Sequence, residues 1–458
     1  MRNVLVMMVD EMSWWALGHT GGIAKTPNID ALAARGVRFT QAYTPSPICV
    51  PTRAAIATGQ YVHQIGCWSS AEPYTGTPRG WAHAVRDAGY DCASIGKLHF
   101  RSRQDDYGFS SSLEPIHVVN GEGWVQALLR KPVEPYDNAQ SLAEGVGAGE
   151  TDYLAFDRRV TAKACSWLAE AARQDRPWCA FVSWLAPHFP LVAPSEYYEL
   201  YDPAVLQSPA DPVPDHPILN EVAAYFSHDQ HFTPATRGKA RAAYYGLCSF
   251  VDAQIGAMLQ ALEASGQADD TLILFTADHG EMLGEKGFWT KSTLYDSAAR
   301  VPLIMAGPDV PAGDWDAPVS LIDLAPTICA ALGIEAAFPG TDLRQPDPTR
   351  EVLSEYHDGG VSVGSIMLRW DHWKLVYHCE GHPAQLFNMA EDPQETQDLS
   401  AARPDILADG YARLFRHLDP EAVNTRAFAD QSKRIAELGG ADAIRAKGQF
   451  DYTPANSR

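Results

Sequence analysis

The chain has 458 residues, of which 46% are hydrophobic and 20% charged, a composition typical of a globular protein. Its formal net charge of −21 argues against nucleic acid and anionic membrane surfaces as partners, so an anionic substrate would need a locally positive pocket. A chain of this length exceeds the usual limit for one hydrophobic core, and we expect one large domain and a smaller one.

The first nine residues carry one arginine and a short apolar run that leads directly into two acids. This pattern predicts a buried strand rather than a signal peptide with a cleavage site. No later apolar run is long enough to cross a bilayer. The eight cysteines are scattered without paired spacing. We therefore expect reduced thiols, no membrane partner and a cytoplasmic location.

The first predicted strand covers residues 3–9 and ends in Asp10 and Glu11. Continuous apolar runs of this length are typical of buried parallel strands. Ligands of open α/β sheets bind at the carboxyl ends of such strands. The alternative is a helix cap followed by a solvated acid. The tryptophan-rich stretch that follows is too apolar for a plain surface turn, which disfavours that alternative.

A second feature is the pattern Cys-x-Pro-x-Arg, formed by Cys49, Pro51 and Arg53 at the start of a run of small residues. Because proline is tolerated only in the first turn of a helix, Cys49 is predicted to lie at a helix N-terminus. Free N–H groups at that position favour an anion, and Arg53 adds a positive charge. Taken alone, a free cysteine is more often an inert buried residue.

Basic side chains follow two further predicted strands. Residues 90–95 lead into Lys97 and His99, and residues 178–185 lead into His188, which lies close to two prolines. Alternating residues on an extended segment share a face, so Lys97 and His99 are expected to point into one pocket. A surface lysine and packed histidines are the alternatives for each position taken alone.

A second acid cluster follows the predicted strand 271–276. It contains Asp278 and His279, and Lys291 comes a few residues later. Because this cluster also follows a buried strand, we expect it at the same sheet edge as the first one.

We divide the chain into a catalytic domain (1–345), a small antiparallel sheet with a helix (346–420) and a tail (421–458) that needs a partner surface or is partly mobile. Residues 102–149 and 197–236 are predicted as irregular insertions, where specificity for the organic part of a substrate should lie. The tail suggests a homo-oligomer. Four short strands at hairpin spacing define the small sheet: 351–356, 365–369, 373–378 and 385–388.

The clusters together predict one site with two kinds of groups. The metal-binding candidates are Asp10, Glu11, Asp278 and His279. Three carboxylates suit Ca²⁺, Mg²⁺ or Mn²⁺, and the histidine shifts the preference toward Mn²⁺ or Zn²⁺ without deciding it. The candidates for holding an anion are Lys97, His99, His188 and Lys291. A metal, cations and a nucleophile are the groups needed to move a phosphoryl or sulfuryl group.

These motifs resemble those of the formylglycine-dependent sulfatases in the alkaline phosphatase superfamily, and are most similar to the choline-sulfatase and phosphonate monoester hydrolase branch. The matching motifs are Val9-Asp10-Glu11, Cys49-Val50-Pro51-Thr52-Arg53 with Thr58-Gly59, Gly96-Lys97-Leu98-His99, Pro187-His188, Asp278-His279-Gly280-Glu281-Met282-Leu283-Gly284, Lys291, Arg300-Val301-Pro302-Leu303, and Gln385-Leu386-Phe387-Asn388 with Glu391-Asp392-Pro393. The resemblance implies an α/β fold with a large, mostly parallel mixed sheet between helices, plus a smaller C-terminal antiparallel α+β domain.

The resemblance also implies that Cys49 is oxidised after synthesis to formylglycine, by a maturation enzyme that reads Cys-x-Pro-x-Arg. The aldehyde hydrates, and a metal lowers the pKa of one hydroxyl so that it attacks the ester. The second hydroxyl later expels sulfate and regenerates the aldehyde. The implied ligands of one divalent metal, Ca²⁺ or alternatively Mn²⁺, are Asp10, Glu11, the modified Cys49, Asp278 and His279.

The remaining residues receive roles from the same resemblance. Arg53 and Lys97 would orient the hydrated aldehyde, and His99 would take the proton that releases sulfate. His188 and Lys291 would hold the oxygens of the anion and protonate the leaving oxygen.

Three functions remain open. The first is a sulfatase acting on a small anionic sulfate ester. The second is a phosphonate monoester hydrolase or phosphodiesterase with the same site, which Lys97 and His99 disfavour because that branch tends to carry Tyr and Thr there. The third is a catalytically silent binding protein. Position 11 is Glu where related enzymes carry an amide or Asp, which could change the preferred metal. Trp68, Trp124 and His117 are candidates for lining the pocket, although packing is their commoner role.

Overall fold

The computed structural model describes residues 3–136, 138–174, 176–448 and 452–455. The strands, in chain order, are β1 (Asn3–Asp10), β2 (Val37–Phe39), β3 (Ala42–Tyr43), β4 (Asp91–Lys97), β5 (Ser111–Ile116), β6 (Gly147–Ala148), β7 (Trp178–Pro187), β8 (Val192–Ala193), β9 (Thr271–Ala277), β10 (Arg300–Val301), β11 (Leu303–Ala306), β12 (Gly313–Trp315), β13 (Val319–Ser320), β14 (Val352–Tyr356), β15 (Ser365–Trp370), β16 (Trp373–His378) and β17 (Gln385–Asn388).

The α-helices are α1 (Pro27–Ala34), α2 (Cys49–Thr58), α3 (Val62–Ile65), α4 (Trp81–Asp87), α5 (Asp152–Ala171), α6 (Ser195–Tyr198), α7 (Pro217–Phe226), α8 (Pro234–Ala264), α9 (Asp296–Ala299), α10 (Leu324–Ala331), α11 (Pro404–His417), α12 (Pro420–Glu437) and α13 (Ala441–Ala446). Short 3₁₀ turns lie at Trp14–Ala16, Gly18–Thr20, Val119–Gly121, Val125–Leu128, Ala139–Leu142, His228–His231, Ala268–Asp270, Glu285–Gly287 and Leu321–Asp323. Among the described residues, no helix combines the length and apolarity that crossing a membrane requires.

An eight-stranded mixed sheet forms the centre of the molecule, in the order β12-β2-β11-β9-β1-β7-β4-β5. The five strands from β9 to β5 are parallel, and β11 runs antiparallel to both of its neighbours. Every residue of β1 and β7 is buried, which requires cover on both faces of the sheet. Helices α1, α4, α5 and α8 pack against it. This confirms the α/β class with a mostly parallel sheet.

Helix α2 begins at Cys49, as the proline pattern predicts. Ile48 is extended and caps the helix, and Pro51 lies in its first turn. The helix ends where Gly59 adopts a left-handed conformation with φ of 65°, which glycine tolerates best. The N-terminus of α2 therefore points at the carboxyl ends of the parallel strands, where Cys49 contacts the residue that ends β1.

A second sheet, β14-β15-β16-β17, is an antiparallel meander and confirms the small C-terminal sheet. Leucines and tryptophans of this sheet share a hydrophobic cluster with Ala55 of α2 and with Ile322. The small sheet therefore packs directly on α2 and on the 3₁₀ turn at Leu321–Asp323. The boundaries at 345 and 420 stay predictions.

The stretch predicted as a tail holds most of α12 and all of α13, both packed on their own chain. Ala427 and Ile444 are fully buried, and the polar Asn424 and Gln431 are also buried. Both helices therefore have a packing surface on their own chain.

Two local predictions differ from the structure. The stretch predicted as irregular between 102 and 149 contains β5, whose polar, proline-bearing sequence suits the edge position that it occupies. The proline-rich stretch 197–236 contains α7, which starts at Pro217.

Candidate active site

Four parallel strands end at one edge of the main sheet and bring distant residues together. β9, β1, β7 and β4 are consecutive neighbours, and each ends at or just before a predicted site residue. Those residues are Asp278, Asp10, His188 and Lys97. The shared edge follows directly from the parallel order.

A group of four possible metal ligands surrounds the start of α2. The Sγ atom of Cys49 lies 3.0 Å from Nε2 of His279 and 3.6 Å from Oδ1 of Asp10. Nε2 of His279 lies 3.7 Å from Oδ1 of both Asp10 and Asp278. One atom from each of the four residues lies within 4.8 Å of the other three, and all four residues are buried.

Glu11 belongs to a neighbouring group with Asp10 and His188. Its Oε2 atom accepts a hydrogen bond of 2.9 Å from Lys291, whereas its buried Oε1 atom has no hydrogen-bond partner among the described residues. Burial raises the pKa of Glu11 to about 8, although Lys291 opposes the shift. A buried acceptor without a donor lowers the stability of the fold, because no hydrogen bond offsets its loss of hydration. Carboxylate oxygens with one histidine, and a bare oxygen beside them, fit a divalent cation.

Arg53 and Lys97 bind the acids from the opposite side. Lys97 donates to Oδ2 of Asp10. Nε of Arg53 donates to Oδ2 of Asp278 at 2.7 Å, and Nη1 donates to the Lys97 carbonyl at 2.9 Å and to Ser183 at 3.0 Å. Nη2 of Arg53 has no hydrogen-bond partner within the described chain. It forms an ion pair with Oδ2 of Asp10 at 3.6 Å, which is longer than a hydrogen bond, so its hydrogen-bonding capacity is not filled.

The charges of the six ionic residues balance. When Asp10, Glu11 and Asp278 are all ionised, their three carboxylates stand against three fixed cations, which are Arg53, Lys97 and Lys291. A divalent cation and an oxyanion can therefore enter together without leaving a large net charge in a buried site.

His188 and Lys291 form a hydrogen-bonded pair beside Glu11. The Nζ atom of Lys291 lies 2.8 Å from Nε2 of His188. Nδ1 of His188 lies 2.6 Å from the Phe189 carbonyl, which can only accept, so Nδ1 carries the proton and Nε2 accepts from Lys291. Burial, followed by the charge of Lys291, lowers the pKa of His188 well below its usual value. The ring is therefore a neutral acceptor next to an ammonium donor.

His99 reaches the site by a different route from the one predicted. β4 ends at Lys97, and His99 has a left-handed φ of 60° instead of extended backbone. Its N–H bonds the Ile116 carbonyl of β5 at 2.8 Å. Lys97 and His99 therefore do not lie on one face of an extended strand, because the backbone turns at this point. Burial lowers the pKa of His99 well below its usual value, and Lys97 adds to the effect.

Three supporting residues carry no sequence-level assignment. Tyr244 of α8 donates to the Glu11 carbonyl at 3.0 Å and holds Glu11 in its left-handed conformation. Asp157 of α5 accepts from the N–H groups of residues 185 and 186, both at 2.8 Å, just before His188. Glu281 accepts from the N–H groups of residues 283 and 290. A buried acid on an otherwise apolar helix face is the signal that could have indicated Asp157.

Cys49, His99, His188 and Lys291 line one pocket, so the structure brings these candidates together. Further residues of its lining are mainly apolar or aromatic: Val118, Trp124, Tyr136, Leu142, Phe189, Phe226 and Tyr452.

Only one of the three pocket candidates proposed from the sequence lines this pocket. Trp124 does so. Trp68 instead packs against Ala427 of α12, and His117 packs against Tyr107.

Known proteins resemble this chain over nearly its whole length. The sequence model of the sulfatase family matches residues 2–334. The choline-sulfatase of Rhizobium meliloti (strain 1021) is 32% identical over 94% of this chain and 90% of its own. Human arylsulfatase K is 28% identical over 88% of this chain and 80% of its own. The structure of the Silicibacter pomeroyi phosphonate monoester hydrolase superposes with a TM-score of 0.71 and 27% identity, over 91% of this chain and 95% of that one.

Proposed function

Because the chain belongs to the sulfatase family, we propose that this sulfuric ester hydrolase cleaves a sulfate monoester of an alkyl or aryl alcohol into alcohol and sulfate. The observation that carries the proposal is the position of residue 49. It lies at a helix N-terminus, beside two acids and a histidine that can hold a metal, and it lines the pocket.

Asp10, Asp278 and His279 would hold one divalent cation together with the oxygen of residue 49. Oε1 of Glu11, which has no hydrogen-bond partner among the described residues, would be a further ligand. We propose Ca²⁺, with Mn²⁺ as the alternative, because carboxylate oxygens outnumber nitrogen ligands. The bound cation supplies the positive charge that makes an oxygen nucleophile available near neutral pH and offsets the charge of the ester.

Before a cation binds, an unmodified thiol at position 49 is a poor nucleophile. Burial, followed by the charge of Asp10, raises the pKa of Cys49 to about 12. Together with the Cys-x-Pro-x-Arg pattern and the sulfatase family, this favours the proposal that Cys49 is oxidised to formylglycine by a maturation enzyme that recognises that pattern.

Side chains of this chain would orient the nucleophile, bind the substrate and transfer protons. Lys97 and Nη2 of Arg53 orient the oxygens of residue 49. The Lys291–His188 pair holds the substrate oxygens, and its ammonium supplies a proton to the leaving oxygen. His99 takes the proton whose removal releases sulfate.

A phosphonate monoester hydrolase is the second candidate, favoured by two such enzymes that superpose at a TM-score of 0.71. Lys97 and His99 favour the sulfatase instead, because the phosphonate monoester hydrolases that these motifs resemble tend to carry Tyr and Thr at these two positions.

The test compares an aryl sulfate with an aryl phosphonate monoester, using protein produced together with a formylglycine-generating enzyme. We expect the larger kcat/KM for the sulfate, and a loss of at least ~10³-fold in Cys49→Ala. A larger kcat/KM for the phosphonate would favour the second candidate. Full activity in Cys49→Ala would overturn both, and no turnover by modified protein would favour a binding protein.

A further inference from the structure

The segment formed by residues 452–455 enters the active-site pocket of its own chain. Tyr452 and Thr453 both line the pocket that contains Cys49 and His99. Thr453 is only 7% exposed. A stretch some 350 positions beyond His99 in the sequence therefore forms part of the catalytic pocket.

Thr453 touches a residue that the proposed reaction uses. Its Oγ1 atom lies 2.8 Å from Nε2 of His99. The other ring nitrogen of His99, Nδ1, is buried and has no hydrogen-bond partner among the described residues. One nitrogen is therefore held by Thr453, and the other is left for a reacting group.

Thr453 is itself anchored. The phenol of Tyr153, on α5, donates a hydrogen bond of 2.6 Å to the Thr453 carbonyl. Tyr153 is buried and contacts the ring of Tyr452 edge-on at 5.0 Å between centroids. Ala455 packs against the main hydrophobic core. These contacts hold the backbone of Thr453 in place, so its hydroxyl has a fixed position beside His99.

We propose that Thr453 is a positioning residue for His99. Its hydroxyl oxygen accepts a hydrogen bond from the Nε2–H group of the imidazole. This hydrogen bond fixes the ring orientation and the tautomer in which Nδ1 is unprotonated and able to take a proton. The inference rests on the proposed function, because it assigns Thr453 to the step in which His99 acts. Removal of the hydroxyl should affect turnover rather than substrate binding.

The first experiment is a kinetic comparison on an aryl sulfate. Thr453→Val removes the hydroxyl at nearly constant volume, and we expect kcat to fall about 10- to 100-fold while KM changes less than about threefold. Thr453→Ser keeps the hydroxyl and should stay within about threefold of the wild type. Tyr153→Phe, which releases the Thr453 carbonyl, should lower kcat in the same direction. Thr425→Val, at an exposed position of α12, is the matched control and should change neither constant.

The second experiment observes the ring directly, without turnover. In protein labelled with ¹⁵N-histidine, the His99 signals are assigned by their disappearance in His99→Gln. We expect one imidazole tautomer, protonated at Nε2, in the wild type and in Thr453→Ser. In Thr453→Val we expect a mixture of tautomers, with an unchanged melting temperature.

The outcomes separate the two proposals. If modified wild-type protein hydrolyses no sulfate ester, the proposed function fails, and the ¹⁵N signals alone decide on Thr453. If the wild type is active but Thr453→Val keeps its kcat, the positioning role is wrong. A lower kcat with unchanged His99 signals would also overturn it, because Thr453 would then act by another route.

Discussion

Two buried clusters of charges in this molecule use the same residue types and differ in what they leave unsatisfied. The interface cluster consists of Lys374 on β16, Asp296 at the start of α9, and Glu395. Nζ of Lys374 lies 2.9 Å from Oδ1 of Asp296 and 2.6 Å from Oε1 of Glu395. The Asp296 N–H donates to the other oxygen of Glu395 at 2.7 Å. These charges join the small sheet to α9. Oε1 of Glu395 lacks a hydrogen bond of normal geometry, but the ammonium of Lys374 lies 2.6 Å away, so its charge is matched within the cluster.

The catalytic cluster is made of Asp10, Glu11, Arg53, Lys97, Asp278 and Lys291. Its charges also balance, but Oε1 of Glu11 and Nη2 of Arg53 lack hydrogen-bond partners within the described residues. It also borders a pocket, which Lys291 lines. The comparison indicates that buried charge alone does not mark a site. Buried polar atoms without hydrogen-bond partners do, where the same cluster contributes a residue to a pocket, because such atoms are costly unless a ligand satisfies them.

The two clusters should differ most in the variants Asp278→Asn and Asp296→Asn, which carry one substitution in each cluster. We expect Asp278→Asn to lower kcat/KM at least ~10³-fold, because the proposed metal site loses a charged ligand. Its bound metal, measured by plasma mass spectrometry, should fall well below one ion per chain. Asp296→Asn should keep both its metal and the activity of the folded fraction. If Asp278→Asn had the same metal content and activity as the wild type, the distinction between the two clusters would be wrong.

Lys374→Met tests the interface cluster from the cationic side. It leaves Asp296 and Glu395 buried without their shared partner, which should lower the free energy of unfolding by about 3–5 kcal/mol. Urea denaturation measures the change, and kcat/KM below the transition should equal that of the wild type. A loss of less than about 1 kcal/mol would show that the pairing contributes little.

Asp157→Asn tests a support of the catalytic cluster. The amide can accept from one of the two backbone N–H groups before His188 but presents an NH₂ to the other. We expect a loss of about 1–3 kcal/mol in unfolding free energy and a fall of about tenfold in kcat/KM, because His188 shifts. Urea denaturation and steady-state kinetics measure the two effects. The control is Asp409→Asn, at an exposed position of α11. If Asp157→Asn were as stable and as active as this control, Asp157 would not support the site.

The smallest expected effect is a pH dependence at Glu355 of β14, which lies 2.7 Å from Nδ1 of His63. Burial acts to raise the pKa of Glu355, but His63 and then His357 outweigh it and hold the pKa at about 2, below its usual 4.5. A depressed pKa stabilises the fold above pH 4.5, and this stabilisation is lost as pH falls toward 2. Glu355→Gln should therefore destabilise the protein most between pH 4.5 and the raised pKa of His63, above which His63 loses its charge.

Urea denaturation across this pH range, comparing the variant with the wild type, checks the prediction. The difference in unfolding free energy should shrink steadily below pH 4.5. A difference that is constant with pH would mean that the charge of Glu355 contributes nothing.

Local patterns predicted the catalytic edge well. The apolar runs before Asp10, His188 and Asp278 required buried strands, and Pro51 required a helix start at Cys49; the structure contains each of them. The small sheet followed from hairpin spacing in the same way.

The features that sequence patterns did not predict depend on distant contacts. β5 is a polar edge strand whose pairing with β4 decides its conformation. The turn of His99 depends on the Ile116 carbonyl of that strand, and the contact of Thr453 with His99 joins residues hundreds of positions apart. No local periodicity carries such information.

The most direct test of the account is mass spectrometry of the peptide that contains residue 49. The protein should be produced with and without a formylglycine-generating enzyme, and sulfatase activity should be measured on the same samples. We predict that activity rises in proportion to the fraction of residue 49 present as the aldehyde. Full sulfatase activity in protein whose residue 49 is entirely thiol would contradict the account.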